Sequence, residues 1–253
     1  MRRIRATIAY DGTDYHGWQS QQGLVTVQQT LEDVLAIVEE KPVEVFASGR
    51  TDAGVHAQGQ VVAFDLENPI PCGSLRKAVN RWLPRDIRVL EFREAVVETF
   101  HPRYDAIAKT YEYRIYRGEV CPPILHRYVY HHPFPLNEEL MNAAAPLLVG
   151  EHDFRAYAAT NPQASDNKVR EIFSSAGESR RDRDEWVYRV RGSGFLKHMV
   201  RNIIGVLLQV GQGNVTNEGV VARLRPGCGI PAGPRAAPQG LSLVSVEYPK
   251  ELE

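Results

Sequence analysis

The sequence predicts an α+β protein of two pseudo-twofold-related, ferredoxin- or RRM-like halves with mostly antiparallel sheets and a cleft between them. Three observations carry this. Stretches with period-two hydrophobic alternation are interleaved with stretches of helical period. Their order over residues 1–104 is β-α-β-β-α-β, and over residues 105–253 the same order returns. A length of 253 residues is long for one small domain and accommodates two compact units.

In the first half, "RIRATIAY" from Arg3 alternates, with Ile4, Ala6, Ile8 and Tyr10 on one face and Arg3, Arg5 and Thr7 on the other. That is a strand. Asp11–Gly12 breaks it, and a glycine-containing stretch runs on to Gly23. A helix from about Val27 puts Val27, Leu31, Val34, Leu35 and Val38 on one stripe, and Thr26 and Gln29 stand at capping-box spacing. "VEVFAS" and "QVVAFDL" are the second and third strands, with the loop "ASGRTDAGVHAQGQ" running from one into the other. Ser74 precedes the helix "LRKAVNRWL", Pro84 closes it, and "IRVLEF" is the fourth strand.

The second half opens on "KTYEYRIY", with Tyr111, Tyr113 and Ile115 on one face and Glu112 and Arg114 on the other. A helix starts at Asn137, with Leu136 and Met141 at staple spacing, and Pro146 kinks or ends it. "VREIFSS" and "EWVYRVRG" form a hairpin around the polar tip "GESRRDRDE". "LKHMVRNIIGVLLQV" is the next helix and "LSLVSVEY" the closing strand; the Pro/Gly-rich residues 225–240 before it read as a loop, not a linker. The sheet face that the helices leave bare is expected to be open to a large ligand.

Composition narrows the classes. Hydrophobic residues make up 43% and charged ones 24%, as in ordinary soluble proteins. No run of eighteen apolar residues exists, which argues against a membrane helix. The start "MRRIRATIAY" alternates instead of leading into an apolar core, so a strand is expected there and no secretory signal. Cys72, Cys121 and Cys228 are few, odd in number and far apart, which fits a reducing cytoplasm. A net charge of −1 does not mark a nucleic-acid binder by itself. Basic residues do cluster at Arg2, Arg3 and Arg5, at Arg180, Arg181 and Arg183, and at Lys197, His198 and Arg201, patterns that solvated faces also show.

Metal and nucleotide-cofactor signatures fail. No Cys/His pair has zinc-finger spacing, and the P-loop, dinucleotide and serine-hydrolase glycine motifs are absent. His131 and His132 are adjacent, which points their side chains apart in an extended chain. What stands out is Asp52, one carboxylate in a bare loop. Arg50 lies two residues earlier, close enough to hold it ionised, and Ala47, Ser48, Ala53 and Ala57 leave room for a substrate. In the late helix, Lys197 and Arg201 fall one turn apart at the polar edge of the stripe of Met199, Val200, Ile203, Ile204, Leu207 and Leu208. Tyr111, among Tyr104, Tyr113 and Tyr116, could stack on a nucleobase. On spacing alone each has an ordinary alternative: a turn or cap for Asp52, a solvated helix face for the cations, sheet packing for the tyrosines.

"GRTDAGVHAQGQVVAF" resembles the signature of the TruA family of tRNA pseudouridine synthases, and the likeness extends over nearly the whole chain. "YDGTDYHGWQSQ", "VNRWLP", "FHPRYDAIAKTYEYRIY", "GEHDF", "GSGFLKHMVRNIIG" and "GLSLVSVEYP" are similar to further motifs of that family. The resemblance implies isomerisation of uridine to pseudouridine in the tRNA anticodon stem-loop, at about positions 38–40, with the target base flipped out of its stem. It implies that Asp52 is the essential aspartate, that Arg50 and Arg201 are its basic neighbours and that Tyr111 contacts the target base. Leu243, or Leu241 one strand step away, is the implied apolar position beside the base. It further implies no metal or cofactor, and a cytoplasmic homodimer with tRNA as partner. Two other classes compete. A non-catalytic RNA-binding protein of the same fold would lack turnover, and an aspartate-based glycosidic hydrolase would need a second carboxylate that the loop does not offer.

Overall fold

Alternating strands and helical stripes fold in the predicted order in the computed structural model, which describes residues 1–159 and 167–252. The first half runs β1 (Arg2–Tyr10), α1 (Val27–Glu39), β2 (Phe46–Ala47), β3 (His56–Leu66), α2 (Cys72–Trp82) and β4 (Ile87–Glu94). The second half runs β5 (Ala108–Tyr116), β6 (Tyr130–His131), α3 (Glu138–Ala144), β7 (Gly150–Asp153), β8 (Val169–Arg180) and β9 (Glu185–Gly192). Then follow α4 (Met199–Gly211), α5 (Asn217–Ala222) and β10 (Leu241–Glu247). The β-α-β-β-α-β order therefore holds in both halves, and β6, β7 and α5 are additions to the second. The fold is α+β, as expected. Among the described residues no helix is long and apolar enough to cross a membrane.

Two compact units are formed, Met1–Ala108 with Ser242–Glu253, and Lys109–Leu241. The repeat divides the sequence at residue 104; the compact units divide it after Ala108 and join the closing strand to the first unit. The reason is a pairing that alternation cannot encode. β10 runs parallel to the start of β3, with Ser242 opposite His56 and Leu243 opposite Ala57.

In the first unit β1 lies between β3 and β4, antiparallel to both. β2 pairs antiparallel with β3 at Ala63 and Val62, farther along the strand than β10. Only two of the six residues of "VEVFAS" enter the ladder, because the Val45 N–H donates to Glu32 Oε1 of α1 at 3.0 Å instead. Thr26 caps α1, its hydroxyl accepting from Gln29 N–H. The Gln29 side chain bonds Ser20 and Asp33, so only half of the capping box forms.

Ile4, Ala6 and Ile8 are buried on one face of β1, as alternation requires. The opposite face is not open. Val61, Ala63, Phe100 and Tyr248 make a second buried cluster, packed by Ala95, Ala106, Val246 and Leu252. Arg5 is buried there too, its guanidinium 4.2 Å from the Tyr248 ring centre and its Nη1 donating to Leu252 O at 2.6 Å. The expectation of a bare sheet face thus fails in this unit, because the chain after β4 and the chain after β10 both fold across it.

In the second unit β5 pairs antiparallel with β9, β9 with β8, and β8 with β7. The short β6 runs parallel to β5. α3 starts after Asn137, whose side chain accepts from Leu140 N–H, and becomes a 3-10 turn at Ala145–Leu148, where Pro146 forbids the α-helical bond. α4 begins at Met199, three residues later than predicted, because His198 takes a left-handed conformation (φ 65°). Lys197 therefore precedes the helix and is not one helical turn from Arg201.

Candidate active site

The loop after β2 is built from hydrogen bonds that alternation does not reveal. The Ser48 hydroxyl donates to Gln60 Oε1 at 2.6 Å, and Gln60 Nε2 donates to Gly49 O at 2.7 Å. Thr51 Oγ1 lies 2.8 Å from the Tyr10 hydroxyl, and Thr51 O accepts from Trp18 N–H at 3.1 Å. Val55 N–H closes a turn onto Asp52 O at 3.1 Å, with Gly54 left-handed (φ 76°). Asp52 is half-buried at the head of this turn, and Arg50 is exposed.

A second loop frames the first from behind. Gly12 meets it backbone to backbone, and a Cβ there would collide with Val55 O. Gly17, at φ 87°, would bring a Cβ within 2.6 Å of Thr51 O. Gly54 N–H donates to Tyr15 O at 3.3 Å, and the Tyr15 hydroxyl donates to Asp86 at 2.8 Å. Gly12 N–H donates to His56 Nδ1 at 3.1 Å, with Asp11 Oδ1 3.2 Å from the same nitrogen. Burial pushes the Tyr10 phenol up to about 12, although its bonds to Thr51 and Gln60 oppose the shift, so at neutral pH it is a neutral strut under Thr51. The glycines of "YDGTDYHGWQSQ" therefore act as contact points for the Asp52 loop.

The small residues around Asp52 serve packing more than access. Ala57 is buried in β3, and Ser48 is buried with its hydroxyl bonded; Ala53 alone of the four is exposed. Leu243 is fully buried beside Ala57, so β10 brings it to the end of β3 that leaves the Asp52 loop. Leu241, also buried, is one step earlier on that strand.

Tyr111 and Arg201 belong to the second unit. Tyr111 is buried on β5 opposite Val190, its ring meeting Phe195 edge-on at 5.1 Å. Spacing alone does not find Phe195; its one signal is its place after the "GSG" turn that leaves β9. Arg201 is only 8% exposed, a correction to its expected place at a polar helix edge. Its Nε donates to Ala236 O at 2.9 Å, and Ala236 N–H donates back to Arg201 O at 3.1 Å. The neighbouring Asn202 is buried as well and donates to Tyr157 O at 2.8 Å.

The loop at 225–240 accounts for Arg201. Gly205 has no Cβ, which would collide with Pro234 O, so the loop lies directly on α4. The Tyr113 hydroxyl secures the same strap by donating to Ala237 O at 2.8 Å. Pro and Gly here shape a strap that fixes the backbone of Arg201.

Chemically, the first unit offers one half-buried carboxylate on a loop held by neutral donors. The second offers a buried guanidinium and an aromatic ring, each fixed by packing. Among the described residues no group of three or more His, Cys, Asp or Glu is placed to hold a metal ion.

Comparison with known proteins identifies the family. A family model described as tRNA pseudouridine synthase matches residues 6–105 and 144–249. The chain is 53% identical over 251 residues to tRNA pseudouridine synthase A of Solibacter usitatus, covering 98% of this chain and 100% of the relative. It is 45% identical over 251 residues to tRNA pseudouridine synthase A of Syntrophotalea carbinolica (98% and 97% covered). Over 248 residues it is 43% identical to that of Geotalea uraniireducens (98% and 100%). A solved archaeal box H/ACA sRNP Nop10-Cbf5 complex gives a TM-score of 0.37 at 13% identity over 81% of this chain and 44% of that one, too distant a likeness to build on. With the family model spanning both halves and relatives matched end to end, this chain belongs to the tRNA pseudouridine synthase family.

Proposed function

We propose that Asp52 is the carboxylate with which this isomerase converts uridine to pseudouridine in tRNA, at about positions 38–40 of the anticodon stem-loop, on a base flipped from its stem. The observation that carries the assignment is the loop itself: Asp52 heads a turn clamped from behind by the Gly12 and Gly17 backbone. Such clamping suits a group that must meet a reacting atom within a fraction of an ångström.

The reaction breaks the C1′–N1 bond, rotates uracil, and forms C1′–C5. C5 loses its proton and N1 gains one, so atoms and electrons balance without oxidant or group donor. A carboxylate serves this sequence as nucleophile or as base. Tyr111 is assigned the target base, Arg50 and Arg201 the positive charge, and Leu243 the apolar contact, all by the family resemblance. Flipping a paired uridine costs a few kcal/mol, which stacking and phosphate contacts offset. We also assign the activity to a homodimer in the cytoplasm; sedimentation of the purified protein measures the first, and three free cysteines suit the second.

The test is tritium release from tRNA transcribed with 5-tritiated uridine, since C5 must lose its hydrogen. Wild type should release tritium and Asp52→Asn should release none while still binding tRNA. Turnover by Asp52→Asn at the wild-type rate would remove Asp52 from the chemistry. No release by wild type from a pool of unmodified tRNAs would favour the RNA-binding alternative, and free uracil in the supernatant would indicate a hydrolase.

A further inference from the structure

Tyr104 is 76% exposed, yet its setting is tightly built. The turn from His101 to Asp105 is tied at both ends. His101 N–H donates to Asp105 Oδ2 at 2.8 Å, and Asp105 N–H donates to His101 O at 3.1 Å. The N–H groups of Arg103 and Tyr104 both donate to His101 Nδ1, at 3.1 and 3.3 Å. The imidazole is thus pinned with its Nδ1 used as an acceptor. Burial, with the Arg3 charge nearby, holds it below the usual histidine range.

Rings then follow one another outward. Phe46 lies 5.7 Å from His101, and His101 lies 4.2 Å from Tyr104 at an interplanar angle of 32°. Cations stand at both ends, the Arg3 guanidinium 5.4 Å from the Phe46 ring centre and that of Arg103 5.9 Å from Tyr104. Phe100 and Tyr248 of the same unit are buried in the cluster on the sheet face, whereas Tyr104 stays out of it. A large ring held in a fixed turn, backed by a neutral ring and left facing water gains nothing for the core. It is prepared for a flat partner from solution.

We propose that Tyr104, backed by His101 and flanked by Arg103, is a stacking platform for one unpaired nucleobase of the bound tRNA other than the uridine that reacts. The proposal rests on the tRNA-modifying function above. The base must be unpaired, because a ring inside a duplex already has neighbours on both faces. The exposed Arg103 would meet the phosphate beside that base.

The test is equilibrium binding of an unmodified tRNA transcript at several salt concentrations, with thermal melting of each protein. Tyr104→Ala should weaken binding roughly 5- to 140-fold, the equivalent of about 1–3 kcal/mol, with the salt dependence unchanged. Tyr104→Phe should bind within about twofold of wild type, since the ring is kept. Arg103→Gln should reduce the slope of log K against log salt by about one. Melting of Tyr104→Ala should match wild type, because the ring is exposed. The proposal is overturned if Tyr104→Ala binds like wild type, if Phe weakens binding as much as Ala, or if the lost affinity follows lost thermal stability. Tritium release is assayed beside binding. A wild type that binds tRNA without turnover removes the catalytic assignment and leaves the platform standing. A wild type that turns over while Tyr104→Ala binds normally removes the platform alone.

Discussion

Replacing Gly17 with alanine tests whether the loop at 11–18 positions Asp52. Two costs separate. At φ 87° an L side chain pays a left-handed penalty of about 1–2 kcal/mol, partly offset by about 0.4–1 kcal/mol because alanine has less freedom to lose on folding. The second cost is contact. The new Cβ would lie 2.6 Å from Thr51 O, and ordinary contact begins at 3.4 Å, so the two loops must part by about 0.8 Å. Misplacing a catalytic group by about 1 Å reduces turnover on the order of 100-fold. Gly23→Ala supplies the control: its φ is 76°, but a Cβ there meets nothing within 4 Å. The control should lose up to about 1.6 kcal/mol and keep wild-type turnover. Gly17→Ala should lose more stability and, at saturating tRNA, between ten- and a hundred-fold in tritium release. Urea denaturation and tritium release on the two variants measure both. Full turnover by a folded Gly17→Ala would refute the reasoning, because the loops would then have parted without moving Asp52.

Two further outcomes follow from the struts. The Tyr10 phenol titrates near 10 when unfolded and about 12 when folded, so the folded state keeps the proton longer. Its contribution is complete below pH 10 and is lost as pH rises towards 12; Tyr10→Phe should therefore show a shallower alkaline loss of stability than wild type, read by melting at successive pH values. At neutral pH the same variant should cost about 1 kcal/mol for the lost bond to Thr51. On β5, Tyr111→Phe should retain the edge-on contact with Phe195 and most of the turnover. Tyr111→Ala should lose about 1–3 kcal/mol of transition-state stabilisation if the ring stacks on the base, and equal activity in the two variants would remove stacking from the account.

Much of the architecture was legible because alternation and helical stripes are local. Ile4, Ala6 and Ile8 alternate with Arg3, Arg5 and Thr7, and β1 follows. The late start of α4 at the left-handed His198 is a local failure; those at Arg5, Arg201 and Val45 are long-range. Arg5 reads as solvent-facing because nothing in "RIRATIAY" announces that Tyr248 will return to stack on it. Arg201 reads as a helix-edge cation because its partner, Ala236 O, is 35 residues away on a strap recognised only as Pro/Gly-rich. The length of "VEVFAS" was overestimated for the same reason: Glu32 takes the Val45 N–H from the ladder.

The bareness of the Asp52 loop has a different physical cause from the one its spelling suggests. Small residues beside a carboxylate read as room for a ligand, but Ala57 and Ser48 are buried, and the Ser48 hydroxyl is used in a bond to Gln60. Gln60 and Tyr10 side chains also hold the Asp52 loop, but where Gly12 and Gly17 meet Val55 O and Thr51 O there is no rotamer through which to relax, so a shift in one backbone must be carried by the other. Arg201 is fixed by the same logic, since Gly205 lets the strap touch α4 and the strap carbonyl then holds the guanidinium. In both units, close backbone approaches at glycines set the position of a charged side chain, which is why substitutions that add one methyl group should affect turnover more than their stability cost alone predicts.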